Sequence, residues 1–161
     1  LIQAERTLDL NDTIDVSDIY VSILYEVERQ VLIAEGQDPS DAMRDGILTR
    51  LAGLLDSDVT IDAKLSLAVL GAGLALEMKE NPDVRREVRR RVERSTARFL
   101  RQCHIELTNL RDRARKEGYA GIVVIYDSLE KLRGITTNFA EAGGFMRYAR
   151  GRWQAVCGAA P

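Results

Sequence analysis

Two carboxylates at the end of an apolar run are the residues best suited to chemistry in this sequence. Residues 121–126 are apolar and mostly β-branched, and Asp127, Ser128 and Glu130 follow them. Such a run is typical of a strand buried on both faces of a parallel sheet. Open α/β sheets bind ligands at the carboxyl ends of their strands. An acidic residue there can hold Mg²⁺, usually through water, beside the phosphates of a nucleotide.

The letters GIVVIYDSLEKLRG at residues 121–134 resemble the Walker B segment of P-loop NTPases of the AAA+ and signal-transduction (STAND) type. In those proteins hydrophobic residues precede D-x-x-D/E. The acidic stretch from residue 8 and the helical patterns after it are also similar to the region between Walker A and Walker B in bacterial ATPases of this group. The resemblance implies that Asp127 is the Mg²⁺-associated carboxylate, that Ser128 lies beside it in the cofactor site, and that Glu130 is a second catalytic acid. ATP and Mg²⁺ would be the cofactors of the intact protein.

The chain departs from this family because it contains no G-x-x-x-x-G-K-S/T string. A P-loop needs those residues, since backbone amides and a lysine cradle the phosphates. We therefore expect Leu1 to lie downstream of a P-loop, with residues 1–161 forming a single domain or an internal fragment of an ATPase domain. Such a fragment would not turn over ATP alone. A plainer alternative is that Asp127 only caps a short helix and Glu130 is solvated.

Charge is unevenly distributed, although the net charge is only −2. Residues 1–82 carry 6 Lys/Arg against 16 Asp/Glu, whereas residues 83–117 carry 12 against 6. The basic part contains a row of arginines: Arg85, Arg86, Arg89, Arg90, Arg91, Arg94, Arg98 and Arg101. This row either neutralises the acidic front half or contacts a polyanion, for which Arg86, Arg90, Arg94 and Arg98 are the candidate residues. A helical interaction or nucleic-acid-binding module is thus the alternative function.

Periodicity predicts the elements that would position these residues. Apolar stripes and cap residues predict helices over 17–35, 39–55 and 82–117, with a strand over about 120–127. Residues 59–79 alternate with period two and predict a β-hairpin turning near Gly71–Gly73, although their composition also suits a helix. Short helices are expected over about 136–155. The predicted fold is α/β and mostly helical, a partial P-loop-like three-layer segment.

Composition excludes several other classes of protein. With 45% apolar and 30% charged residues the chain suits a globular domain, and no apolar run reaches the ~20 residues of a membrane helix. Cys103 and Cys157 cannot form a disulfide framework, which favours a cytoplasmic protein. His104 lacks the partners that a metal site needs, so we expect a structural role for it. The rest of the parent chain is the expected partner, and self-association stays open.

Overall fold

The computed structural model describes residues 2–42, 46–56 and 73–127. Within these ranges the chain forms seven helices and two short strands. In chain order they are β1 (Ile2–Gln3), α1 (Ala4–Thr7), α2 (Val16–Ala34), α3 (Pro39–Ala42), α4 (Ile47–Asp56), α5 (Leu74–Glu80), α6 (Pro82–Arg94), α7 (Thr96–Lys116) and β2 (Tyr126–Asp127). The prediction of a mostly helical chain is confirmed. The predicted helices over 136–155 lie outside the described residues, as do Cys157, Ser128 and Glu130.

Short polar side chains cap α2 and α6 where the sequence predicts. The Asp15 carboxylate accepts a hydrogen bond from the Ser17 backbone N–H at 3.0 Å, and the Asp18 carboxylate accepts one from the Asp15 N–H at 2.7 Å. This capping box satisfies amides that the first turn of α2 leaves free. The Asn81 side chain caps α6 by accepting hydrogen bonds from the backbone N–H groups of Asp83 and Val84, ahead of which Pro82 opens the helix. Helix α2 ends before Gly36, whose φ of +73° suits a residue without a Cβ.

The prediction of a β-hairpin is wrong for its second half. Leu74–Glu80 is α-helix, and it buries Leu74, Ala75 and Met78 on one side. The spacing of these three residues lets one helical face reach the core, and Leu, Ala, Glu, Met and Lys are all good helix formers. Burial of this helical face, together with helix propensity, therefore prevails over the period-two pattern here. The first half of the hairpin, residues 59–72, lies outside the described residues.

Two of the predicted helices, those over 39–55 and 82–117, are each interrupted. Gly46 is not helical, so α3 and α4 replace the single helix expected over 39–55. The helix expected over 82–117 breaks at Ser95, whose φ and ψ are −138° and 36°. Two hydroxyl groups beside the break bond to carbonyls of the preceding turn: Ser95 Oγ to Arg91 O at 3.1 Å and Thr96 Oγ1 to Val92 O at 2.8 Å. Such side-chain bonds compete with the helical ladder, which the Ser-Thr pair signalled.

The core lies where α2, α4 and α7 meet, with α5 and α6 packed beside them. The Phe99 side chain is fully buried and meets the Tyr20 ring edge-on, with 6.3 Å between ring centroids. Most of the remaining core side chains belong to the stripes predicted for each helix, and Val21 is a core residue that the stripe predicted for α2 did not include. Those of α2, α4 and α7 are Val21, Leu24, Val27, Val31, Ile47, Leu48, Leu51, Leu55, Cys103, Leu107 and Leu110. These helices therefore form the body that carries both strands.

The predicted strand over 120–127 is much shorter in the structure, where only Tyr126 and Asp127 have strand pairing. The preceding residues 121–125 lack regular secondary structure. Ile122 and Val124 pack on the core, but Val123 is 82% exposed and Ile125 is 56% exposed. The expectation of burial on both faces is therefore wrong in this structure. An apolar β-branched run indicates strand preference, and it does not by itself tell one covered face from two.

Candidate functional site

The backbone around Asp127 has one feature of an open α/β sheet. Strand β2 pairs in parallel with β1, with Ile2 opposite Tyr126 and Gln3 opposite Asp127. The Ile2 N–H also donates to the Ile125 carbonyl at 2.8 Å. All the described helices after β1 lie between the two strands in the chain, as in a crossover connection. Asp127 consequently lies at the edge where both strands end, which is the edge that the sequence predicts.

The acidic front loop, residues 8–15, is joined to α6 by Arg85. The Arg85 Nη1 group donates to Asp9 Oδ2 at 3.0 Å and to Asp12 Oδ2 at 2.9 Å. On the other side, its Nε and Nη2 groups donate to the carbonyls of Met78 and Lys79 at 2.8 and 3.0 Å. Only 4% of the Arg85 side chain is exposed. One guanidinium thus joins the front loop, the end of α5 and the start of α6.

Arg89, one turn further along α6, repeats this arrangement. Its Nη2 group donates to Asp18 Oδ2 and to the Thr13 carbonyl, both at 2.6 Å. Burial raises the pKa of Asp18 even though Arg89 lies against it. The pKa of Asp9 is lowered by the Asn11 backbone N–H and by Arg85. The basic row therefore neutralises the acidic front half at these positions, as one of the two sequence interpretations holds.

The four candidate anion contacts are all exposed. Arg86 pairs with Asp83, and Arg90 donates to Glu87 at 2.7 and 2.9 Å. The break at Ser95 lies between Arg94 and the helix that carries Arg98, so the four residues do not share one continuous helix. In the same row the Arg91 side chain is 1% exposed and bonds to Glu87 at 2.6 Å. The row of arginines therefore does not form one exposed surface, because some of its side chains point into the protein and others into solvent.

Cys103 and His104 do not form a site together. Cys103 is fully buried in the core, and burial raises the pKa of its thiol well above the usual range. His104, the next residue of α7, points about 100° away from Cys103 and is exposed. Across the described ranges, no three His, Cys, Asp or Glu residues are grouped to hold a metal ion. In those ranges no helix has both the length and the hydropathy needed to cross a bilayer.

Sequence reasoning missed three buried carboxylates, Glu26, Glu28 and Glu106. Both oxygens of Glu28 accept the backbone N–H of Ile47, at 3.0 and 3.2 Å, and so satisfy an amide in the first turn of α4 from a distant helix. Glu106 accepts Nε and Nη2 of Arg50 at 3.1 and 2.8 Å. Burial alone would raise the pKa of Glu106, but the bonds from Arg50 and Gln102 lower it overall. The sequence did offer one indication of their burial, because these acids lie next to apolar core residues of α2 and α7.

Glu28 predicts a pH dependence of stability. Burial raises its pKa above the ordinary 4.5, so the folded state holds this proton to higher pH than the unfolded state does. The contribution of Glu28 to the free energy of unfolding should therefore fall as the pH rises from 4.5 through the raised pKa. Glu28→Gln keeps an acceptor for Ile47 and removes the titration. Urea unfolding at about pH 4, 5.5 and 7 should show wild type losing stability relative to this variant, and a constant difference would contradict the prediction.

Comparison with known proteins identifies no relative of this chain. No protein-family model matches the chain, and no curated protein or solved structure matches it significantly.

Proposed function

We propose that the chain is a segment of a P-loop ATPase of the STAND or AAA+ kind, in which ATP binding and hydrolysis drive a conformational switch or an assembly. The observation that carries this proposal is the parallel pairing of β1 with β2, which puts Asp127 at the shared carboxyl edge of the two strands. Ligand sites of open α/β folds lie at that edge. The Walker B-like sequence around Asp127 supports the same function independently.

In this proposal Asp127 and Ser128 are the residues that would hold a Mg²⁺ ion through its water shell, and the ion would supply charge stabilisation for the phosphates. Glu130 would orient or polarise the attacking water. Phosphoryl transfer depends mainly on positioning and electrostatic stabilisation. In this proposal the segment therefore supplies two carboxylates to the ATP site of the parent protein, and other segments supply the groups that bind the phosphates. The exposed side chains of Val123 and Ile125 favour a three-layer fold, since a second layer of helices would cover them.

The alternative, a nucleic-acid-binding module based on residues 85–101, has less support. Arg85, Arg89 and Arg91 are engaged within the protein, and Arg86 and Arg90 each have a carboxylate on the adjacent turn. Nucleic-acid binding depends on cationic side chains that neutralise phosphates and so release counterions. Few arginines of this row are left for that role. The charge pattern is better explained by the fold itself.

The proposal predicts that the 161-residue chain binds MgATP weakly, with a Kd above about 100 µM (about −5.5 kcal/mol). The reason is that its sequence lacks the glycine-rich loop and lysine that hold the phosphates. Isothermal titration with MgATP measures this directly. The complementary measurement uses a parent chain with G-x-x-x-x-G-K-S/T upstream of Leu1, which should bind MgATP tightly. Tight MgATP binding by the 161-residue chain would contradict the prediction that the phosphate-binding loop lies upstream of Leu1. A parent protein without the G-x-x-x-x-G-K-S/T string would overturn the proposed function.

A further inference from the structure

The outward side of residues 119–125 is an exposed apolar face. In the part of the chain that the structure describes, six large apolar side chains are exposed, and three of them, Tyr119, Val123 and Ile125, lie within these seven residues. The alternate residues of the run pack on the core. Successive side chains of an extended segment point to opposite sides, so Val123 and Ile125 share the uncovered side. Clustered apolar side chains on a surface usually mark a place that another segment or molecule covers.

The sequence after Asp127 contains side chains suited to cover this face. Residues 128–161, 34 in all, include two of the three phenylalanines and the only tryptophan, namely Phe139, Phe145 and Trp153. Large aromatic side chains bury the most apolar area per residue. The 11 residues 128–138 can span up to about 36 Å when extended. Since Asp127 follows Ile125 by only two residues, the aromatic residues are within reach of the face.

Charge favours this segment over a second copy of the chain as the occupant. Residues 128–161 carry 5 Lys/Arg against 2 Asp/Glu, a net of +3, whereas residues 1–127 carry 18 against 23, a net of −5. Opposite net charges attract, whereas pairing two copies through this face would bring two negative bodies together. A tethered segment also has an effective concentration on the order of millimolar, and its docking avoids the loss of translational freedom that association of two molecules costs.

We propose that the aromatic segment, residues 139–153, docks on this face of its own chain and covers Val123 and Ile125. Trp153 is its principal anchor, because it has the largest side chain of the segment. Docking would therefore shield the indole ring of Trp153 from water. This inference does not depend on the proposed ATPase function.

Trp153 reports on this contact without a label, because it is the only tryptophan in the chain. The emission of an indole ring moves to shorter wavelength, and acrylamide quenches it less, when the ring leaves water. In the 161-residue chain Trp153 should therefore emit at shorter wavelength, and be quenched less by acrylamide, than in the same chain unfolded in urea. Identical emission and quenching in the folded and the unfolded chain would overturn the proposal.

Three variants locate the contact. Ile125→Asp and Val123→Asp should each move the emission and quenching of Trp153 towards the values of the unfolded chain, because covering a carboxylate with an aromatic ring is unfavourable. Ile105→Asp is the matched control, since Ile105 is 44% exposed on α7, outside this face, and its replacement should leave both signals unchanged. Unchanged signals in Val123→Asp, or an equal change in Ile105→Asp, would contradict the proposal. If Ile125→Asp does not fold by circular dichroism, Val123→Asp still decides, because the Val123 side chain is 82% exposed.

Sedimentation velocity over a dilution series distinguishes a second copy as the occupant. A monomer in which Trp153 stays protected supports docking within one chain. Protection that is lost as a dimer dissociates would show that a second copy covers the face, and the proposal would be wrong.

Discussion

Asp127→Asn is expected to slow ATP hydrolysis by about 100- to 1,000-fold in the intact ATPase that we propose, while leaving the fold in place. Asn is nearly isosteric with Asp and keeps one carbonyl oxygen, so it would cap a following turn about as well. It removes the negative charge that balances Mg²⁺ and its water shell. Because this chemistry relies on electrostatic stabilisation, the loss should affect turnover far more than stability.

The measurement is phosphate release at saturating MgATP, with circular dichroism to compare the folds. Asp38→Asn is the matched control, because Asp38 is an exposed cap whose carboxylate accepts the Ser40 backbone N–H at 2.9 Å. That variant should retain wild-type turnover. If Asp127→Asn also retained it, Asp127 would be a cap like Asp38, and the Walker B assignment would be wrong.

Arg85→Ala is expected to lower the free energy of unfolding by about 3 kcal/mol, because it removes a buried charge with four partners. The Met78 and Lys79 carbonyls would lose their donor, and Asp9 and Asp12 would lose their cation. For a chain of this length the melting temperature should fall by about 6–12 °C. Urea and thermal unfolding measure the two quantities.

Arg86→Ala provides the control, since Arg86 is the next residue on α6 and carries the same charge. Its side chain is 74% exposed, pairs with Asp83 on the adjacent turn and donates a long bond of 3.4 Å to the Pro82 carbonyl, so its removal should cost less than about 0.5 kcal/mol. Arg85→Lys should recover little of the loss, because an ammonium group cannot serve carbonyls and carboxylates on two sides as a planar guanidinium does. Similar losses for Arg85→Ala and Arg86→Ala would show that the network around Arg85 contributes no more stability than a surface pair.

Local patterns were enough to predict where α2, α3 and α6 begin and which faces of α2 and α7 are buried. Asp15 and Asn81 cap helices because a short side chain can bond to amides only two or three residues away. Gly36 and Gly118 follow the ends of α2 and α7 with φ of +73° and +89°, as expected from residues without a Cβ. The apolar stripes of α2 and α7 face the core as predicted. All of these depend on neighbours within one or two turns.

Packing between distant parts of the chain decided which arginines are buried, that residues 74–80 are helical, and how the first turn of α4 is capped. The spacing of the arginine row selects Arg86 as a candidate anion contact, but it does not show that Arg85 is buried. Adjacent helix positions point about 100° apart, and of these two residues Arg85 is the one that meets the front loop and α5. Residues 74–80 became a helix because that conformation buries Leu74, Ala75 and Met78 together. The Glu28 cap on α4 depends on which helix meets α2. No pattern in nearby sequence encodes that contact, since it joins residues 19 positions apart in the chain.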